Sequence, residues 1–310
     1  MLKIATITCT DGEYTWGRIH GWCGYNDVQW SLVDGTLTIT GEGVVFDYYY
    51  YWDQSEQHYT PAWYAYTDRI TDVVIEEGIT YIGDYAFYNC TELKSVTFPS
   101  TLDTNTGFGN NVFRGCTSLE EITFPDGLTV VPQSCFYGCT ALKTVNLPDS
   151  LLGIAANAFY NCTSLQSIDI PDSVWYIADY AFENCTSLTD ITLPAGLLSL
   201  EEGVFAGCTG LTYVDVPDKV TTINDAAFKN CTGLRYIYIP STVTKITGQP
   251  FFGCSLDLTP CTDAAALPTT WEEGWNWPGE SAASGMFAYK LGVSRDDMYW
   301  VMMDPDATVE

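Results

Sequence analysis

The sequence predicts a solenoid: a curved stack of coils of about 23 residues, with a parallel sheet on its concave face, short strands and helical turns elsewhere, and a cap at each end. Three observations predict it. Cys90, Cys116, Cys139, Cys162, Cys185, Cys208, Cys231 and Cys254 follow one another at a spacing of 26 residues once and then of 23 six times. A Phe stands three residues before each of them, from Phe87 to Phe251. A Leu stands three residues after all but the last, from Leu93 to Leu234, and a Pro closes each following segment, from Pro99 to Pro240. Self-similarity at one fixed period of this size belongs to repeat architectures.

Each position in the coil has a physical reason. The segment between Leu and Pro reads L-x-x-I-x-I/L, and its end alternates like a strand: Ile191 and Leu193 face inward, Asp190 and Thr192 outward. Pro then stops the ladder. A second apolar pair follows, as in Val174 and Ile177 or Val220 and Ile223, and suits a short strand on the opposite wall. The Ala-Phe segment before each Cys predicts a turn of helix or 3₁₀-helix joining the walls. The residue before each repeat Cys is Asn or Gly (Asn89, Gly115, Gly138, Asn161, Asn184, Gly207, Asn230, Gly253), two types with ready access to left-handed backbone, so one such corner per coil is expected. Four of these corners spell Asn-Cys-Thr, an N-glycosylation acceptor, but Gly at the equivalent positions favours the backbone reading. Thr or Ser follows every repeat Cys and predicts a ladder of hydroxyls. No coil can bury its own Phe, Leu and Ile; stacking at about the 4.8 Å strand spacing does so.

Residues Ile168-Asp169-Ile170-Pro171-Asp172-Ser173-Val174 and the run from Ile177 through Phe182-Glu183-Asn184-Cys185-Thr186-Ser187-Leu188 resemble the BspA-like (treponemal-type) leucine-rich repeat, over about residues 69 to 254. The stretch around Cys23-Gly24, Trp30 and Gly35 to Gly41 resembles the N-terminal cap of such proteins. The resemblance implies a leucine-rich-repeat solenoid in a secreted or cell-surface bacterial protein, often an adhesin that binds host or matrix proteins. The start of the chain, from Met1 to Cys9, is too short and too polar for a secretory signal, so a cytoplasmic location stays open beside the surface one.

Three segments are expected: an aromatic, β-rich N-terminal cap over 1–68, the solenoid over 69–262 and a C-terminal cap over 263–310. Nine of the ten tryptophans (all but Trp175) lie outside the repeats, where large aromatics suit the covering of exposed stack ends. The run Tyr48-Tyr49-Tyr50-Tyr51-Trp52 reads either as part of that cover or as a platform for a ligand such as a sugar. The one long unit carries three extra residues within 101–111, read as a protruding loop or a neutral bulge.

With 39 acidic against 12 basic residues the formal charge is −27, which excludes nucleic acid and disfavours anionic membrane surfaces. There is no apolar run long enough for membrane insertion. The repeat cysteines read as buried core thiols; no C-x-x-C occurs, and His20 and His58 both lie outside the repeats, so neither a metal site nor a cofactor is expected. Cys9 with Cys23, or Cys254 with Cys261, are the pairs that an oxidising compartment would bridge. No nucleophile elbow, Walker loop or H-E-x-x-H is present, so the chain reads as a monomeric binding module and not an enzyme.

The outward columns of the L-x-x-I-x-I strand change along the stack from small polar residues to Asp190, then Tyr213 and Asp215, then Tyr236 and Tyr238 beside Arg235. Tyr and Arg bury much area while keeping a polar handle. A partner-binding site on the concave wall is therefore expected at Asp190, Tyr213, Asp215, Arg235, Tyr236 and Tyr238; cross-strand tyrosine stacking that merely stabilises the sheet is the competing reading. The partner classes left open are a protein and a glycan bound through exposed aromatics.

Overall fold

The computed structural model describes residues 19–24, 27–48, 61–103, 107–255, 257–266, 268–271, 275 and 289–297. They form a β-solenoid. Its main wall starts with the antiparallel strands Ile19–Trp22, Gln29–Val33 and Thr36–Thr40 and continues in the same sheet with the parallel strands Asp72–Ile75 and Ser95–Thr97. The next coils contribute Glu121–Thr123 and Thr144–Asn146, paired in parallel with Ile122 opposite Val145. Further on, Tyr213–Asp215, Tyr236–Tyr238, Thr259–Thr262 and Lys290–Leu291 form one parallel sheet. The opposite wall carries the expected short strands: Val130–Val131, Gly153–Ile154 and Tyr176–Ile177 in one sheet, Ser199–Leu200, Thr222–Ile223 and Lys245–Ile246 in another.

Between Asn146 and Tyr213 the main wall departs from expectation. Ser167–Asp169 and Asp190–Thr192 form no regular strand, although Ile168, Ile191 and Leu193 are buried and Asp169, Asp190 and Thr192 exposed. Side-chain alternation belongs to any extended chain and survives the loss of cross-strand bonds.

The segment joining the walls is also not the expected helical turn. Phe182 and Asn184 donate their N–H groups to the carbonyls of Val204 and Ala206 in the next coil (2.9 and 2.7 Å), while Ala181 and Cys185 donate three residues back to Ala178 and Phe182 (3.3 and 3.1 Å). Successive peptide planes thus alternate between the stack direction and the coil. This demands two left-handed residues per coil instead of one: Tyr180 at φ 57° and Asn184 at φ 60°, with the same pair recurring as Tyr85/Asn89, Ser134/Gly138 and Ala226/Asn230. The Asn corners are therefore conformational, as expected. At Gly115, Gly207 and Gly253 space matters too, because a Cβ there would run into the side-chain oxygen of Asn89, Asn184 or Asn230 one coil earlier.

The core is a column of rings. Phe87 through Phe251 are fully buried and stack coil upon coil with centroids 5.2 to 5.7 Å apart. Trp63 continues the column at one end, 5.9 Å from Phe87, and donates its indole N–H to the Ala86 carbonyl (2.8 Å). Trp275 closes the other end edge-on to Phe251, with Trp271 against it donating to the Val243 carbonyl (3.1 Å). Trp30 packs on Trp63. These four tryptophans cover stack ends as expected; Trp22 is exposed, and Trp16, Trp52, Trp277 and Trp300 lie outside the described residues. Phe108, in the long unit, turns inward and packs edge-on against Phe98 and Phe124 (5.2 and 5.5 Å).

Beside the rings runs a ladder of thiols. Each repeat Cys from Cys116 to Cys254 donates its S–H to the carbonyl of the Phe in the preceding coil, at 3.0 to 3.2 Å. Burial pushes these thiols far up, Cys139, Cys185 and Cys254 to about 12. Cys254 and Cys261 are both free thiols, each with its own carbonyl acceptor, so the pairing considered for them is absent; Cys9 lies outside the described residues. The hydroxyl ladder forms outside the thiols, Thr163 donating to the Thr140 carbonyl (3.3 Å) and Thr186 to that of Thr163 (3.4 Å).

Candidate partner-binding wall

A groove of about 600 Å³ opens on the main wall where the strand ladder lapses. Asp190, Thr192, Tyr213 and Asp215 line it from the repeats, with Lys219 and Arg295 at its edge. Three of the six residues singled out from the sequence, Asp190, Tyr213 and Asp215, thus meet in one depression. Tyr236 stands one coil further along, half-buried, and Tyr238 is only 3% exposed, packed with Cys261 and Val293. Arg235 is turned away: its guanidinium donates to the carbonyl of Thr232 in its own coil (2.9 Å).

The cover on Tyr238 comes from the far end of the chain. Lys290–Leu291 pairs in parallel with Cys261–Thr262, Val293 donates its N–H to the Thr262 carbonyl (3.0 Å), and the chain then turns back over the wall. Ser294 starts a helical turn, its hydroxyl accepting the N–H of Asp297 (3.2 Å), which fixes the direction of Arg295. The Arg295 Nε donates to Asp215 Oδ1 (2.9 Å), its two Nη groups reach both oxygens of Asp218 (2.9 and 3.2 Å), and Nη2 also meets the Val216 carbonyl (3.0 Å). Its guanidinium lies 4.8 Å from the Tyr238 ring centre. Hydrogen bonds from Arg295 hold the Asp218 carboxyl below the usual carboxylate range. Burial, reinforced by Asp215, pushes Tyr213 up to about 12, so it stays a neutral donor and acceptor.

Sequence reasoning missed Arg295, which sits in no repeat. It also missed a column on the opposite wall. Leu152, Trp175 and Leu198 occupy the same coil position in three successive coils and are 42, 51 and 54% exposed. Here the 23-residue period was the available signal. A corner column places the Arg114 guanidinium 4.1 Å from the Tyr137 ring centre, which stacks on Tyr160 at 4.3 Å. Tyr48, first of the aromatic run, is buried and donates its hydroxyl to the Cys23 carbonyl (3.2 Å); residues 49–52 lie outside the described residues. Among the described residues, no group of three or more His, Cys, Asp and Glu is placed to hold a metal ion, and no helix is long and apolar enough to cross a membrane.

Comparison with solved structures finds a leucine-rich repeat protein from Bacteroides ovatus at 23% identity, covering 86% of this chain and 75% of that one, with a TM-score of 0.59. A leucine-rich repeat protein of T. pallidum is 26% identical over 68% of this chain and 78% of its own, with a TM-score of 0.37. A leucine rich cell surface protein of Faecalibacterium prausnitzii is 23% identical over 92% of this chain and 98% of its own, with a TM-score of 0.31. Nothing among the curated proteins matches. The family model described as the BspA type leucine rich repeat region matches residues 61–162 and 152–262, in six copies. With the ring, thiol and hydroxyl ladders running through the matched coils, the chain belongs to the BspA-type leucine-rich repeat family.

Proposed function

We propose that this chain is a non-enzymatic protein-recognition module of adhesin type, secreted or surface-borne, which binds a partner protein as a monomer on the wall read from the sequence as concave. The observation that carries this reading is the groove over Asp190, Tyr213 and Asp215: a half-buried tyrosine and carboxylate, Tyr213 and Asp215, beside the exposed Asp190, all held on the rigid stacked core. Tyrosines in such a setting supply contact area at low entropic cost. The test is capture of surface proteins on the immobilised chain. Asp190→Ala with Tyr213→Ala should weaken the captured partner's binding by about 10-fold or more, the loss of one or two anchors. Unchanged binding would remove the groove from the proposal.

A second reading, glycan binding through an exposed aromatic, draws on Trp175, whose ring leans on Tyr176 at 4.7 Å. A glycan array signal lost in Trp175→Ala but kept in the groove variant would favour it.

A further inference from the structure

We propose that Asp215, Asp218, the Val216 carbonyl and Tyr238 form a pocket for arginine, that Arg295 is its built-in occupant, and that a partner engages the wall by inserting an arginine of its own from an extended basic segment. The inference rests on the groove reading above and specifies the chemistry of its partner. The four recognising groups come from two successive coils, so the repeats build the pocket whether or not Arg295 fills it. They match a planar guanidinium: a fork of two oxygens from Asp218, a carboxylate on the Nε edge, a carbonyl and an aromatic face. A compact ammonium satisfies only part of that set.

The occupant is held lightly. Among the described residues its segment is tied to the main sheet by the two-residue strand Lys290–Leu291 and by the N–H groups of Gly292 and Val293, and the Arg295 side chain keeps 36% of its surface in solvent. Ion pairs exposed to that degree contribute little net stability, so exchange for a second arginine is nearly balanced. The groove of about 600 Å³ next to the pocket stays open and offers Asp190, Thr192 and Tyr213 to the residues flanking the incoming arginine. A chain of net charge −27 draws basic segments toward it at low salt.

The probe is N-acetyl-arginine methylamide, titrated calorimetrically into the full chain. Arg295→Ala should bind it in the millimolar range and about 10-fold more tightly than the unsubstituted chain, since the internal competitor is gone. The lysine analogue should bind Arg295→Ala about 5-fold or more weakly, and Asp218→Asn in the Arg295→Ala background should abolish binding. Equal binding to the unsubstituted chain and Arg295→Ala, equal binding of the two analogues, or full binding to the double variant would each overturn the proposal. An unchanged circular dichroism spectrum of Arg295→Ala confirms that the solenoid is intact, and if it is not, Arg295→Lys, a weaker internal competitor that keeps the cation but not the fork, takes its place, with a smaller gain over the unsubstituted chain and the same order of the two analogues expected. The two readings fail separately. If protein capture depends on Asp190 and Tyr213 but no variant takes the arginine probe, the wall stands and the pocket falls; arginine binding with capture indifferent to Asp190 and Tyr213 is the converse.

Discussion

Phe182→Ala tests the central column. The Phe182 ring is fully buried, 5.2 Å from Phe159 and 5.6 Å from Phe205, near the middle of the stack. Returning such a ring to water on unfolding exposes on the order of 150 Å², which at about 25 cal/mol per Å² is nearly 4 kcal/mol. The two ring pairs add about 0.5–1.5 kcal/mol each. Partial collapse and the retained methyl group offset some of this, which leaves a loss of about 4–5 kcal/mol, toward the upper end for Phe-to-Ala changes. Because coils are coupled chiefly to their neighbours, a gap at the middle should also split unfolding into two steps. Urea denaturation followed by fluorescence at the N-terminal Trp63 end and by far-ultraviolet circular dichroism measures both effects. Phe182→Leu, which keeps most of the volume, should lose only about 1–2 kcal/mol. A loss below about 2 kcal/mol for the Ala variant, or equal losses for Ala and Leu, would show that the stacked ring does not fill the core as described.

Ala226 holds a left-handed backbone at φ 56°, where a Cβ is strained, so Ala226→Gly should be neutral to stabilising by about 0.5–1 kcal/mol; a clear loss in the same denaturation assay would refute the strain argument. The buried thiols lie well above their ordinary value of 9.0, several at about 12. The native state holds these protons more tightly than the unfolded one, so the associated stability is complete below pH 9 and falls as pH rises from 9 toward 12. Denaturation midpoints across that window should drop, and a flat profile would show that the thiols reach solvent. At neutral pH the described cysteines should resist a thiol-reactive dye until the protein is unfolded.

The parts of the fold that were legible in the sequence are those a single side chain can report. A ring three residues before a thiol, repeated at one period, identifies a shared core because only stacking can bury it, and the in-and-out alternation around Ile191 held even where the strand itself does not form. The second left-handed corner was only partly legible: Asn111, Asn157 and Gly203 suit it, but Tyr85, Ser134, Tyr180 and Ala226 at the same coil position share no chemistry, and the demand on them comes from peptide planes bonding to the next coil. The candidate site divides the same way. Asp190, Tyr213 and Asp215 meet because register aligns them, whereas Arg235, in register too, is taken by its own coil's carbonyls. Arg295 reaches Asp215 and Asp218 across 80 and 77 residues of sequence, a separation no period announces.

The alternating peptide planes have a mechanical consequence. Every second N–H at the corners, like those of the paired strands, points along the stack, so the bonds between coils lie parallel to the line joining the two ends. Tension applied along that line loads a few hydrogen bonds at one junction at a time, as in a zipper, and does not shear a whole sheet at once. Each coil that yields would release 23 residues, roughly 75 Å of extended chain. Under load the molecule would lengthen in nearly equal steps and shed force gradually.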